Sequence, residues 1–212
     1  MSLLALAAAA LLTLTDPTGD AAGDGTLEPP TSPVYANAAL FDLQEVSVVA
    51  GASQADPATL RVAMGAVELD ESQPAGFNRS VVDVYLDLAE GGATATLQGP
   101  GMLMPPGKGW EYAVRISPRG AFGAPAPFEE GQSVEWSPLD LAIDGDVLVV
   151  GLPDGIGPDL DVFALSGVFD AFSPHSWRPL AAAPSPWSYS GTEQVVPVID
   201  LIAADHETQM TA

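Results

Sequence analysis

The sequence predicts an all-β protein, an antiparallel β-sandwich, on three observations. Apolar and polar residues alternate along several short segments, which is the pattern of strands that bury one face. Twenty prolines and 21 glycines interrupt the chain at short intervals, as turns between strands require. Neither a heptad repeat nor a long helical period accompanies them. With 47% hydrophobic residues in a chain of 212, there is enough apolar material for one sandwich domain with a single core.

The first candidate strands lie in the first third of the chain. Residues 39–51 alternate, but the alternation shifts phase between Leu43 and Val46, as a β-bulge would cause. Residues 59–67 alternate regularly around Arg61. Both segments therefore predict strands with one face in the core.

The central strands carry charge on one face. Residues 80–90 place valines and leucines on one face and Asp83, Tyr85 and Asp87 on the other. Since outward polar residues are the rule in antiparallel sheets, this second face is predicted to be exposed to solvent. Residues 110–117 alternate in the same way.

The last strands are separated by turn signals. Residues 133–153 hold two short apolar runs around Asp144-Gly145-Asp146, which predicts a hairpin. Residues 160–170 and 195–203 complete the set. Loops rich in glycine, proline and serine are predicted at 69–80, 99–109 and 173–191.

The first fourteen residues, MSLLALAAAALLTL, are apolar and uncharged. They are too few to span a bilayer but match the apolar part of a signal peptide. A basic start and a clear cleavage site are missing, so an ordinary buried strand or helix is the alternative. We divide the chain into a signal-peptide-like segment at 1–14, one β-sandwich domain at 15–205 and a tail at 206–212. We expect an exported protein of the periplasm or cell surface with no membrane span.

The charge balance excludes several classes of function. There are 28 acidic residues and six basic ones, and the formal net charge is -22. A nucleic-acid partner is excluded because almost nothing is present to neutralise phosphates. The absence of cysteine rules out a disulfide scaffold and thiolate metal sites. No catalytic residue is assigned, since neither a nucleophile elbow nor a recognisable triad occurs.

Carboxylates collect in the opening loop, DPTGDAAGDGTLEPP, at residues 16–30. Oxygen donors between glycines suit Ca²⁺, which takes 6–8 oxygen ligands in flexible geometry. A loop of Asx-turns without an ion is the alternative. A second acidic group lies on the polar face of residues 80–90. The candidate calcium ligands are Asp16, Asp20, Asp24, Glu28, Asp42, Asp83 and Asp87.

Histidine and methionine offer a different metal chemistry. His175 and His206, together with Met102 and Met104 in GPGMLMPPG, are ligand types that bind copper or haem. This makes an envelope redox or metal-binding module the alternative function. Core packing of the methionines is the other interpretation.

Aromatic residues in the segment 173–191 are candidates for carbohydrate binding. Trp177, Trp187 and Tyr189 lie there among prolines and serines, and would present stacking faces if they were exposed. Packing over the end of the sandwich is the alternative, because each aromatic ring buries a large apolar area.

Five stretches, in order along the chain, resemble the glucodextranase C-terminal domain, a DOMON-like module. The matching stretches are DPTGDAAGDGTLEPPTSPVY with FDLQEVSV, GFNRSVVDVYLDLAEGGAT, GKGWEYAVRIS, SGVFDAFSPHSWRPLAAAPSPWSYSG and VIDLIA. They extend from Asp16 to about Ala203. Where the family usually has aromatic and further acidic residues in the first loop, this chain has Ala21, Ala22 and Leu27.

The resemblance implies a β-sandwich of the jelly-roll type found in carbohydrate-binding modules. It implies an exported, non-catalytic module of the cell envelope, as on surface polysaccharide-degrading enzymes. Its expected partners are an envelope polysaccharide or a surface-layer or outer-membrane protein complex. The wider DOMON group binds sugars or haem, which is why copper or haem stays open beside Ca²⁺.

Overall fold

Two antiparallel sheets packed face to face form the protein, as the alternation in the sequence predicts. The structure is a computed structural model, and it describes residues 9–21, 27–51, 56–127, 133–191 and 196–204. The all-β, antiparallel sandwich is confirmed.

The strands of the described residues are, in chain order, β1 (Ala10–Thr15), β2 (Leu43–Val49), β3 (Thr59–Met64), β4 (Glu68–Leu69), β5 (Phe77–Asn78), β6 (Ser80–Asp87), β7 (Tyr112–Ser117), β8 (Gly120–Pro125), β9 (Ser137–Leu139), β10 (Leu141–Asp144), β11 (Val147–Gly151), β12 (Asp161–Val168) and β13 (Asp200–Ala203). Two short 3-10 helices, Pro33–Tyr35 and Ala38–Leu40, precede β2. One sheet has the order β1-β2-β3-β11-β10 and the other β13-β12-β6-β7-β8-β9. The strands β4 and β5 form a separate ribbon.

The main core lies between the two sheets. Val46 and Val62 of the five-stranded sheet and Val84 and Val114 of the six-stranded sheet are fully buried in it. These are the residues that the period of two assigns to the inner faces. Burying them removes apolar surface from water, which is the main stabilising contribution to such a sandwich.

Two local predictions from the sequence are confirmed by the strand pairing. The register of β2 against β3 shifts between Leu43 and Glu45, which is the bulge that the phase change indicated. Strands β10 and β11 form a hairpin in which Asp144 pairs with Val147. Gly145 in its turn has a φ of 63°, a conformation that glycine adopts without steric cost.

Strand β1 arises from the apolar start of the chain. Residues Ala10–Thr15 pair with β2 at the edge of the five-stranded sheet, and Leu12 and Leu14 pack against the main core. The sandwich therefore includes residues that we assigned to the signal-peptide-like segment. The role of the residues in front of β1 stays a prediction.

Strand β6 of the six-stranded sheet is buried on both faces from Ser80 to Leu86, which corrects the prediction of a solvent-exposed face on this strand. Asp83 and Tyr85 are fully buried. They lie under a layer of loop residues that includes Leu97, Trp110 and Trp177. This layer covers the outward face of β6 as far as Tyr85, so Val81 and Tyr85 belong to a second, smaller core, while Asp87 at the end of the strand is partly buried.

Among the described residues, no helix has the length and apolar character needed to cross a bilayer.

Two glycines of the outer layer permit a test of its packing. Gly99 has a φ of 131°, and a Cβ added there would lie 2.5 Å from Cδ1 of Trp177. Gly101 has a φ of 71°, but an added Cβ would meet nothing within 4 Å. In both variants the alanine must adopt a positive φ, which is unfavourable for any residue with a Cβ. Only Gly99→Ala also forces a methyl group against Trp177. We therefore expect Gly99→Ala to be less stable than Gly101→Ala by about 1–3 kcal/mol. Urea unfolding measures the difference, and equal stabilities would contradict tight packing of this layer.

Candidate cation site

The opening loop is fastened to the start of β2. Asp16 follows β1 directly, and its N–H donates to the carbonyl oxygen of Gln44 (3.0 Å). Three residues further on, the N–H of Gly19 donates to Oδ1 of Asp42 (2.8 Å). These two bonds determine where the carboxylates of the loop lie, although the loop has no regular secondary structure.

A third carboxylate reaches the same place from the end of the chain. Asp200 begins β13, opposite Ser166 of β12. Its side chain is almost buried, and accepts hydrogen bonds from the N–H of Leu43 (2.6 Å) and from its neighbour Leu201 (2.8 Å). Asp200 is therefore held rigidly between the last strand and β2.

Asp16, Asp20 and Asp200 converge. One carboxylate oxygen from each lies within 4.8 Å of the other two. Burial, and then the negative charges of Asp16 and Asp20, raise the pKa of Asp200 to about 8. Without a bound cation, the protonated form of Asp200 is therefore favoured below about pH 8, because three carboxylates so close cannot all ionise at low cost.

A hard divalent cation fits this set of donors. The site consists of oxygen ligands alone, and Ca²⁺ prefers carboxylate and carbonyl oxygens. A bound cation also reverses the repulsion among the carboxylates, since it stabilises their ionised forms. The three aspartates would supply the charged ligands, leaving further positions for backbone carbonyls and water.

Of the other predicted calcium ligands from the opening region, Glu28 and Asp42 do not join this group. Asp24 lies outside the described residues. Glu28 is exposed and pairs through its backbone with Ser190. Asp42 is buried, and its two oxygens accept from Gly19 and from Nε2 of Gln44 (3.1 Å). Asp42 therefore positions the loop that carries the ligands.

The two acidic residues of β6 have different partners. Asp83 forms a doubly hydrogen-bonded ion pair with Arg115 of β7. Asp87 lies at the end of β6 beside Lys108 and Asp161, which are themselves ion-paired at 2.6 Å. Burial raises the pKa of Asp87, and Lys108 opposes this shift. Neither residue belongs to the group formed by Asp16, Asp20 and Asp200, and their role as calcium ligands stays a prediction.

The candidate ligands for copper or haem are dispersed in the part of the chain that the structure describes. Met104 is buried in the outer layer, and Met102 packs against it. His175 lies in the turn before Trp177 and lines a different cavity from that of Met104. His206 lies outside the described residues. Within those residues, Asp16, Asp20 and Asp200 form the one group of three or more acidic, histidine or cysteine side chains at metal-binding separation.

Of the three aromatic candidates for carbohydrate binding, two are buried. Trp177 and Tyr189 are each 2% exposed. Tyr189 meets Phe41 edge to face, and its burial raises its pKa to about 12. Neither ring has a face open for stacking, which agrees with the alternative of packing at the end of the sandwich. Trp187 is 55% exposed and stays a candidate.

Three residues that the fold makes prominent were not singled out as site candidates from the sequence. Asp200 is the single acidic residue in the apolar run VVPVIDLIA, a signal that could have singled it out. Arg115 and Trp136 line an open cleft on the outer layer. No local pattern marks those two, because the segments that meet at the cleft are distant in sequence.

Comparison with known protein families gives a match over almost the whole chain. A family described as the C-terminal binding module, SLH-like, of glucodextranase matches residues 11–212. This agrees with the resemblance seen in the five sequence stretches, and it begins within β1. A search of curated proteins found no match.

Proposed function

The chain belongs to the family of SLH-like C-terminal binding modules of glucodextranase, and from this premise we propose that it is a Ca²⁺-stabilised module that binds polysaccharide at the cell envelope. Membership supports a non-catalytic binding module that attaches to carbohydrate or to surface components. It also supports an extracellular or cell-surface location. Docking on a surface-layer or outer-membrane protein complex is the alternative partner.

The observation that carries the calcium part of the proposal is the convergence of Asp16, Asp20 and Asp200. The first two lie on the loop that follows β1, and the third begins the last strand. A cation bound there links the two ends of the domain and removes the repulsion between three carboxylates. Because it binds the folded state, it stabilises the protein by mass action.

Calcium removal tests this proposal directly. At a free Ca²⁺ concentration about a hundredfold above Kd, the stabilisation is about 2.7 kcal/mol, so we expect Tm to rise by about 5–10 °C over a chelated sample. Differential scanning calorimetry in metal-free buffer, with and without CaCl2, measures the shift.

A matched pair of variants locates the effect. Asp20→Asn removes one ligand and should abolish most of the calcium-dependent shift. Asp159→Asn changes the net charge equally at an exposed position and should leave it intact. Equal shifts in the two variants, or no shift in the unmodified protein, would contradict the site.

The copper or haem alternative stays a prediction from the sequence, and metal analysis of the protein from its native envelope separates it from calcium. A colourless protein that carries calcium and no copper would contradict that alternative.

A further inference from the structure

A cleft of about 790 Å³ opens on the outer layer of the six-stranded sheet. Its walls are the segment 92–98, the residues after β8 at 133–136, and the turn that carries His175. The volume lies within the range of about 300–1,000 Å³ that is typical of small-ligand sites. It shares no described residue with the cation site.

An aromatic platform stands in this cleft. Trp136 is 39% exposed, and the guanidinium carbon of Arg115 lies 5.4 Å from its ring centroid. Such a cation–π contact holds an indole that would otherwise be free to rotate. The ring thus has one neighbour that fixes it while more than a third of the residue remains accessible.

Arg115 is itself immobilised from below. Its Nε and Nη2 donate to the two oxygens of Asp83, both at 2.7 Å, and Nη2 also donates to the carbonyl oxygen of Gln98 (2.9 Å). Tyr85 donates to the same carboxylate (3.1 Å) and accepts from the N–H of Leu97. A buried hydrogen-bond network therefore connects the six-stranded sheet to the wall of the cleft and holds Arg115 beneath Trp136. Because these side chains are already ordered, ligand binding loses less conformational entropy.

The charges of the cleft favour a neutral ligand. Among the described residues that line it, Arg115 is the single member of the Asp, Glu, Lys and Arg types, and Asp83 compensates its charge. Uncharged donors and acceptors, such as those of Thr94, Gln98 and Ser133, line the cleft together with His175. Anions are opposed by the net charge of -22.

We infer that this cleft binds a neutral sugar residue of the polysaccharide, with Trp136 as its stacking platform. A pyranose ring combines an apolar C–H face, which suits the electron-rich face of an indole, with hydroxyl groups for the neutral donors and acceptors. The inference rests on the proposed function and assigns its site. It moves the carbohydrate contact from the segment 173–191 to the residues before β9.

Affinity electrophoresis on a panel of neutral polysaccharides tests the site, with dextran, pullulan, starch, β-glucan, mannan and xylan as the probes. The unmodified protein should be retarded by at least one of them. Trp136→Ala should weaken that retardation about tenfold or more, as expected on loss of a central aromatic contact, while Trp136→Tyr keeps most of it. The calcium-dependent Tm shift of Trp136→Ala should be unchanged, which shows that the variant folds.

Trp187→Ala is the matched control, because it removes an exposed indole outside the cleft. If Trp187→Ala abolishes retardation and Trp136→Ala does not, the assignment of the cleft as the sugar site is wrong, while the polysaccharide-binding function is retained. If no polysaccharide of the panel retards the unmodified protein, the proposed function itself fails, and with it the cleft. Carboxymethyl-dextran should bind more weakly than dextran, and tighter binding of the anionic polymer would contradict the assignment of a neutral ligand.

Discussion

Arg115→Met should destabilise the protein by about 3–5 kcal/mol, which is the usual cost of leaving one member of a buried ion pair without its partner. Asp83 is completely buried beside Arg115. Burial alone would lower the pKa of Arg115, but the adjacent carboxylate outweighs this and raises it. Methionine preserves the apolar stem of the side chain, so the decrease in the free energy of unfolding reports the removal of the guanidinium group. Urea unfolding at neutral pH measures it.

Two further variants separate the buried pair from charge loss in general. Arg61→Met makes the same substitution in an exposed pair with Asp144, at 3.6 Å, and should cost less than about 1 kcal/mol. The double variant Asp83→Asn, Arg115→Met removes both buried charges and should recover much of the stability. If Arg115→Met and Arg61→Met prove equally mild, the network under the cleft is not structurally important.

The sandwich was predictable because its signals are local. The period of two along residues 59–67 and 80–90 requires only neighbouring residues, and β3 and β6 follow it. The bulge between Leu43 and Glu45 shifts the alternation where it occurs, so that it can be read from one segment.

The burial of Asp83 was not predictable in the same way. Alternation shows that its side chain lies opposite the main core, but it does not show whether loops cover that face. The cover comes from the segment that contains Leu97 and Trp110 and from the turn that contains Trp177. These are non-local contacts, and polar residues on a strand give no sign of them until a partner such as Arg115 is placed across the ladder.

The cation site was half predictable for a related reason. The glycine-rich spacing of the opening loop indicated Asp16 and Asp20, whose positions depend on a few hydrogen bonds to β2. Asp200 comes from the other end of the chain, and pairing of β13 with β12 places it there. Residues 20 and 200 become neighbours through sheet topology, which a single sequence does not display.

The calcium affinity should rise steeply with pH and level off above about pH 8. In the folded protein the pKa of Asp200 is about 8, against about 3.9 for an unfolded aspartate. A cation needs the ionised form, so each pH unit below 8 lowers the affinity by up to about tenfold. The stability of the calcium-free protein depends on pH in the opposite direction to the calcium affinity. The contribution of protonated Asp200 to stability is complete below about pH 4 and is lost as pH rises towards 8.

Isothermal titration calorimetry with CaCl2 at pH 6, 7, 8 and 9, in pairs of buffers with different ionisation enthalpies, measures both affinity and proton release. Close to one proton should leave per ion at pH 6–7, and almost none at pH 9. Asp16→Asn should weaken binding and move the profile to lower pH, because it removes one of the charges that raise the pKa of Asp200. A flat affinity from pH 6 to 9 without proton release would mean that calcium, if it binds, does not displace the proton of Asp200.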